Sequence, residues 1–225
     1  MKIEVIKLVK NYGGIKALDD ISLSIIGSGI YGLLGSEGAG KTTFMRILST
    51  VTAKTSGEIY IDGISIENKK AIRKMIGYLP REFSFYPDFT VYETLDYFAV
   101  LSGKKFLRGE IYDILERVNL QDLYKEKIKT LSKSMKKRLG IAVITVKDPQ
   151  VIIADEPTAG LDKEEKVRIK NIFFEIGKDK TVILSASVAE DMEGCNTIIV
   201  LNRGNVIYNG MVLEDACMKF REKEV

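Results

Sequence analysis

The chain has 225 residues, 45% of them hydrophobic and 29% charged, which suits one large domain or two small ones with a substantial core and gives no sign of disorder. Its 34 basic and 31 acidic residues leave a net charge of only +3, spread along the chain, which argues against a dedicated nucleic-acid protein with basic charge gathered on one face. Cys195 and Cys217 stand far apart in no metal-like spacing, histidine is absent, and no apolar run approaches the ~20 residues of a transmembrane helix.

The start, MKIEVIKLVK, carries no secretory apolar core, so a reduced cytosolic protein is expected, with any membrane span supplied by other chains. In chain order, Ile3, Val5 and Ile6 to Leu8 read as a strand, followed by a turn at Asn11 to Gly14. Tyr12 stands in that turn. Its ring suits stacking on an adenine as well as it suits an ordinary half-buried loop position. After the turn-like pair Asp19-Asp20, Ile21 to Ile25 reads as a second strand.

Gly29 to Leu34 is a short apolar run, read as a buried strand, and Phe44 to Leu48 opens a helix. Between them lies Gly35-Ser36-Glu37-Gly38-Ala39-Gly40-Lys41-Thr42-Thr43, which fits Gly-x-x-x-x-Gly-Lys-Ser/Thr. Strand, glycine loop and helix N-terminus together make a phosphate cradle. The glycines let backbone N–H groups converge on an anion, and the helix dipole adds partial positive charge. Lys41 is expected to reach the β- and γ-phosphates of a nucleoside triphosphate and the Thr42 hydroxyl to ligate Mg²⁺.

Glu58 to Ile61 reads as a strand turned by Asp62-Gly63, Lys69 to Lys74 as a short helix, and Ile76 to Leu79 as a strand ending at Pro80-Arg81. Helical spacing then takes over: Val91, Leu95, Phe98 and Ala99; Ile111, Ile114, Leu115 and Val118; Met135, Leu139, Ala142, Val143 and Val146. The run Lys136-Lys137-Arg138 in the third stripe reads as a solvated face. Val151 to Ala154 restores the α/β pattern and ends in Asp155-Glu156-Pro157. A carboxylate ending a buried parallel strand sits beside the phosphate loop. Asp155 is therefore expected to hold the Mg²⁺ shell, and Glu156 to polarise a water for attack on the γ-phosphate. A helix carrying Ile169, Ile172, Phe173 and Ile176, a strand at Thr181 to Leu184, a hairpin of Thr197 to Leu201 with Val206 to Tyr208, and a last helix from Met211 complete the chain.

Nearly end to end, the chain resembles the ATP-binding subunit of an ABC transporter. Asn11-Tyr12-Gly13-Gly14 with Ala17 to Ser22 resembles the family's A-loop, which makes Tyr12 the adenine-stacking aromatic. Gly35 to Thr43 and Val151 to Glu156 match Walker A and Walker B, and Thr158-Ala159-Gly160-Leu161-Asp162 matches the D-loop. The resemblance implies an α/β fold with a P-loop NTPase core (1–82 and 147–225), an N-terminal antiparallel β subdomain and an inserted helical subdomain (83–146). It also implies a homo- or heterodimer of cassettes that sandwiches two MgATP molecules.

Three family positions differ. The Q-loop glutamine is Arg81, the Leu-Ser-Gly-Gly-Gln signature reads Leu131-Ser132-Lys133-Ser134-Met135, and the switch histidine is Ser187. An arginine cannot ligate a cation, side chains at Lys133 and Ser134 obstruct a partner's phosphate, and Ser187 is too short for the imidazole's contact. Each lost positioning group can remove about 2.7–4 kcal/mol of transition-state stabilisation. Firm MgATP binding with slow or partner-dependent hydrolysis is therefore expected. Phe83 to Thr90, after the Q-loop, offers four aromatics to a membrane partner's coupling helix, so docking is expected near Arg81 to Thr90. The expected protein is an ATPase subunit at the inner face of the cell membrane, leaning towards export. The alternatives are a degenerate nucleotide-sensing subunit paired with a competent ATPase, and a soluble ABC ATPase outside transport.

Overall fold

The structure is a computed structural model and describes residues 1–221. Two sheets organise it. The first is antiparallel, in the order β2-β1-β4-β5, from β1 (Lys2–Tyr12), β2 (Ile15–Ile26), β4 (Ser56–Ile61) and β5 (Ile64–Ser65). The second, ordered β10-β9-β3-β8-β7-β6, comprises β3 (Gly29–Leu34), β6 (Ile76–Leu79), β7 (Val151–Ala154), β8 (Thr181–Ala186), β9 (Thr197–Asn202) and β10 (Asn205–Gly210). Its strands run parallel except β10, which returns antiparallel on β9.

The parallel strands are apolar without interruption because both faces are covered. Val151, Ile153 and Ile183 point to a core shared with the antiparallel sheet and with Phe44, Met45, Ile47 and Leu48 of α1 (Lys41–Leu48). Their neighbours Ile152, Ala154, Val182 and Leu184 point to the other face. There they meet Ile169, Ile172 and Phe173 of α6 (Lys163–Gly177) and the inserted helices α3 (Val91–Leu101), α4 (Arg108–Arg117) and α5 (Lys133–Thr145). Between the sheets' connections lies the short α2 (Lys69–Met75), and α7 (Leu213–Arg221) packs Ala216 near Met192, Ile198 and Val200. Thr90 starts α3 with a reciprocal cap: its hydroxyl accepts from the Glu93 amide at 3.1 Å, and its own amide donates to the Glu93 carboxylate at 2.7 Å.

The register brings four strand ends to one edge: Leu79 beside Ala154, Ala154 beside Leu184, and Leu34 beside Ala186, with β3 and β8 running two residues further. Gly35, Arg81, Asp155, Glu156 and Ser187 all follow those carboxyl ends within two residues. In open α/β sheets this is the edge where ligands bind.

Three sequence expectations are corrected. Asn11 and Tyr12 are not turn residues but the last rungs of β1, opposite Lys16 and Ile15. The turn is the pair Gly13-Gly14, both at positive φ, the geometry that matches strand twist in a two-residue hairpin. Asp19 and Asp20 lie inside β2, with Asp20 at φ 53 in an irregular stretch of the ladder. Finally, Lys137 and Arg138 are buried, not solvated. Arg138 donates from Nη1 to the carbonyls of Val118 and Asn119 at 2.9 and 2.6 Å, pinning α5 to the end of α4. A buried cation needs such acceptors, and the helix-end carbonyls supply them.

Candidate functional site

The loop from Gly35 to Gly40 is held from both sides before it meets any ligand. A Cβ on Gly35 would lie 2.6 Å from the Leu201 carbonyl of β9, and one on Gly40 2.6 Å from the Ala17 carbonyl of β2. Gly40 also has φ 106 as the residue capping α1, so glycine is required there twice over. The Ala39 carbonyl accepts from the Gly204 amide at 3.0 Å, which ties the loop to the β9–β10 turn. Of the expected cradle residues, Ala39 is buried, Thr43 half-buried, and Ser36, Gly38 and Thr42 line the surface side.

Lys41 is buried at the centre. Its ammonium donates to the Gly35 carbonyl at 2.6 Å, the Ser36 carbonyl at 2.9 Å and Ser187 Oγ at 3.0 Å, which commits all three of its N–H groups. Burial lowers its pKa, and the Glu156 carboxylate, 3.6 Å away, opposes that shift.

Asp155 is 1% exposed. Ser185 Oγ donates to its Oδ1 at 2.6 Å and accepts from the Glu156 amide at 2.9 Å. Asp155 Oδ2 is buried with no hydrogen-bond partner. An ionised oxygen buried and unpaired is costly, and a metal ion or its water shell would satisfy it. That orphaned oxygen, with the preformed cradle and Lys41, fits a Mg²⁺–nucleotide: Asp155 and Thr42 would hold the metal, which would neutralise charge on the phosphates.

Glu156 has φ 46, a backbone state uncommon outside glycine. Its backbone is clamped at both polar groups, the amide by Ser185 and the carbonyl by Lys137 Nζ at 3.0 Å. Lys137 also donates to the Ala159 carbonyl at 3.3 Å, and burial, with repulsion from Lys133, brings its pKa down to about 8. The Glu156 carboxylate is engaged as well. Oε1 accepts from Ser187 Oγ at 2.7 Å, and Oε2 pairs with Arg81 Nε at 3.2 Å. Arg81 reaches on to Glu37 Oε1 at 3.4 Å.

Of the residues expected at the site, Glu37, Lys41, Arg81, Asp155, Glu156 and Ser187 thus meet in one network. Tyr12 stands apart at the end of β1, 46% exposed, with the Lys10 ammonium 4.6 Å from its ring centre. The signature residues form a second group. Ser132 caps α5 by accepting from the Met135 amide at 3.2 Å and shares a 2.9 Å contact with Ser134 Oγ. Lys133 Nζ lies over Gly160, at 2.7 Å from where a Cβ there would be. Asp162 caps α6 by accepting from the Glu165 amide at 2.9 Å. Ser185 and Lys137 were missed by the sequence reading. For Ser185 the only signal was a polar residue ending an apolar strand.

The family profile described as ABC transporter matches residues 18–159. The chain belongs to the ABC transporter ATP-binding family. It is 34% identical over 222 residues to the ABC transporter ATP-binding protein MJ1023 of Methanocaldococcus jannaschii, covering 97% of this chain and 80% of that protein. It is 33% identical over 213 residues to Nod factor export ATP-binding protein I of Paraburkholderia xenovorans, covering 92% of this chain and 70% of that protein. Among solved structures, the dimeric ATP-binding cassette MJ0796 bound to ADP and Pi superposes with a TM-score of 0.83 at 24% identity, covering 93% of this chain and 98% of that one. This likeness fixes the fold as that of an ABC ATPase cassette. Among the described residues of this cassette, no helix is long and apolar enough to cross a membrane.

Proposed function

We propose that this cassette is the ATP-binding subunit of a multi-subunit ABC transporter. It binds MgATP at an interface with a second cassette and couples binding and hydrolysis to separate membrane subunits. One observation carries the nucleotide assignment: the buried, preformed cradle around Lys41 faces a buried Asp155 with one oxygen unpaired. Tyr12 stacks on the adenine, Gly35 to Thr43 hold the phosphates, Thr42 and Asp155 hold Mg²⁺, and Glu156 orients the attacking water. Residues 1–82 and 147–225 form the core of the cassette, 222–225 lying outside the described residues, and 83–146 form its helical subdomain. The signature residues Ser132, Lys133 and Ser134, with Asp162 of the D-loop, face the partner cassette.

The segment Arg81 to Thr90 and α3 form the docking side. Phe85 with Phe98, Tyr86 and Phe89 each with Tyr97, and Tyr97 with Phe98 pack edge to face around a cavity of about 400 Å³, and Tyr86 is 58% exposed. An aromatic-lined recess of this kind suits a short helix presented by a membrane subunit. The working place of the subunit is the inner face of the membrane, and the relative named for Nod factor export supports the export direction.

A second reading has its own support. Arg81 and Ser187 both bind the Glu156 carboxylate, which favours a nucleotide-sensing subunit whose hydrolysis is slow or left to a partner cassette. Steady-state ATP turnover by the membrane complex captured through this chain separates the two. If Glu156→Gln abolishes turnover, the site hydrolyses ATP itself. Turnover close to that of the unaltered complex assigns hydrolysis to the partner cassette and this chain to nucleotide sensing.

A further inference from the structure

Arg81 occupies a place where a family glutamine would stand, and its surroundings give it a role that a glutamine could not have. The guanidinium spans the mouth of the phosphate cradle. On one wall it touches Glu37, the third residue of the loop, through both Nη atoms at 3.4 Å; on the other it touches Glu156, at the end of β7, through Nε at 3.2 Å. The Nη contacts occupy two of its five N–H groups, and Nε lies against Glu156 as an ion pair. The two on Glu37 are long, and the Arg81 side chain is 46% exposed, so the guanidinium is only lightly held and remains open to an anion.

The charges around it point the same way. Glu156 is buried and its two oxygens are divided: Oε1 faces Ser187 and Lys41, Oε2 faces Arg81. Lys41 has its three N–H groups committed to Gly35, Ser36 and Ser187. Arg81 is therefore the cation at this site with donors to spare. Its fork matches phosphate oxygens, and it cannot ligate a metal.

We propose that Arg81 reads the terminal phosphate of the bound nucleotide and, by moving onto it, releases Glu156. The inference rests on the nucleotide assignment above. Without a third phosphate, Arg81 stays on Glu156 and Glu37, and the carboxylate that would orient water is neutralised by a cation. A third phosphate offers the guanidinium a doubly contacted, more highly charged partner than either carboxylate. A diphosphate ends one group short and leaves the pair intact. Arg81 thus makes the cassette discriminate ATP from ADP and ties that discrimination to freeing the Glu156 Oε2 atom.

The test is displacement of a fluorescent ATP analogue from the full chain by ATP and by ADP, each with Mg²⁺. The substitution Arg81→Ala is expected to weaken ATP roughly tenfold and to leave ADP within about twofold, the exchange of a charge-assisted phosphate contact for a weak exposed ion pair. Arg81→Lys keeps the charge without the fork and is expected to fall between the two. Equal weakening of ATP and ADP would make Arg81 a support of the loop and overturn the proposal. Tighter ATP binding by Arg81→Ala would overturn it too, since Arg81 would then be a clamp with no phosphate contact; so would unchanged affinities for both nucleotides. Lys41→Ala serves as the control: if it retains full ATP affinity, the nucleotide assignment itself fails, and this inference with it.

Discussion

Replacing Lys137 by methionine separates the electrostatic and the structural work of a buried cation. Lys137 is 7% exposed, and its ammonium holds the carbonyls of Glu156 and Ala159. Burial lowers its pKa from 10.5 to about 8, with Lys133 adding to the shift and Glu156 opposing it. The unfolded chain thus binds the proton more tightly, and between pH 8 and 10.5 it carries more protons than the folded protein. Stability from this group therefore rises with pH across that window and is lowest below it. A shift of that size corresponds to about 3 kcal/mol, most of it regained by pH 10. Lys137→Met removes the penalty but leaves the Ala159 carbonyl unpaired, at a cost of about 1–3 kcal/mol, while the Glu156 carbonyl keeps the Ala159 amide at 3.2 Å. The two effects oppose each other near pH 7. Between pH 7 and pH 10 the methionine variant is expected to lose about 2–3 kcal/mol of stability relative to the unaltered protein. Urea unfolding of both proteins at the two pH values measures this directly, and taking the difference removes the other titrating groups. Parallel pH profiles for the two proteins would refute the reasoning, because Lys137 would then not be a desolvated ammonium.

Two further substitutions probe the site from either side. Ser185→Ala orphans Asp155 Oδ1 and the Glu156 amide together, and is expected to cost about 2–5 kcal/mol of unfolding free energy. A loss under ~0.5 kcal/mol, measured by urea unfolding, would show that neither group depends on the hydroxyl. Tyr12→Ala is expected to weaken ATP severalfold while leaving inorganic triphosphate unchanged, about the worth of one base–aromatic stack. Equal losses, read by competition against a fluorescent nucleotide, would remove Tyr12 from the adenine site.

The parts of this protein legible in its sequence are those whose chemistry is local. The phosphate loop is specified by four fixed residues between an apolar strand and a helix, and Asp155-Glu156 by the apolar run before them; both lie where their spacing put them. The two-residue turn at Asp62-Gly63 was legible for the same reason, both residues taking a positive φ. Lys137 was not legible. A lysine in a helix defaults to solvent, and its acceptors, the Glu156 and Ala159 carbonyls, lie about 20 residues on in the turn after β7, where Glu156 takes a positive φ. Ser185 was hidden differently. Its partner Asp155 lies 30 residues earlier, and only the pairing of β7 with β8 brings them together. Asn11 and Tyr12 were misread because Asn-Tyr-Gly-Gly has turn composition throughout, while the hairpin needs just the two glycines.

Two of the three departures from the family pattern, Arg81 and Ser187, look like losses in the sequence and are engaged by neighbouring groups in the fold. Ser187 does not leave a gap where an imidazole would be: its hydroxyl accepts from Lys41 and donates to Glu156, bridging the phosphate lysine to the carboxylate. Arg81 takes the other oxygen of the same carboxylate. By contrast, the groups assigned to phosphate and metal are fixed by backbone and burial: Gly35 and Gly40 packed against β9 and β2, and Asp155 clamped by Ser185. That backbone frame does not rest on Arg81 or Ser187, which contact the cradle only through the Glu37 and Lys41 side chains. On the proposed assignment turnover depends on Glu156, whose side chain is held by both Arg81 and Ser187. A change at Arg81 or Ser187 is therefore expected to alter how readily that carboxylate is freed while the backbone frame of the cradle stays intact, with Arg81 also felt in the affinity for ATP.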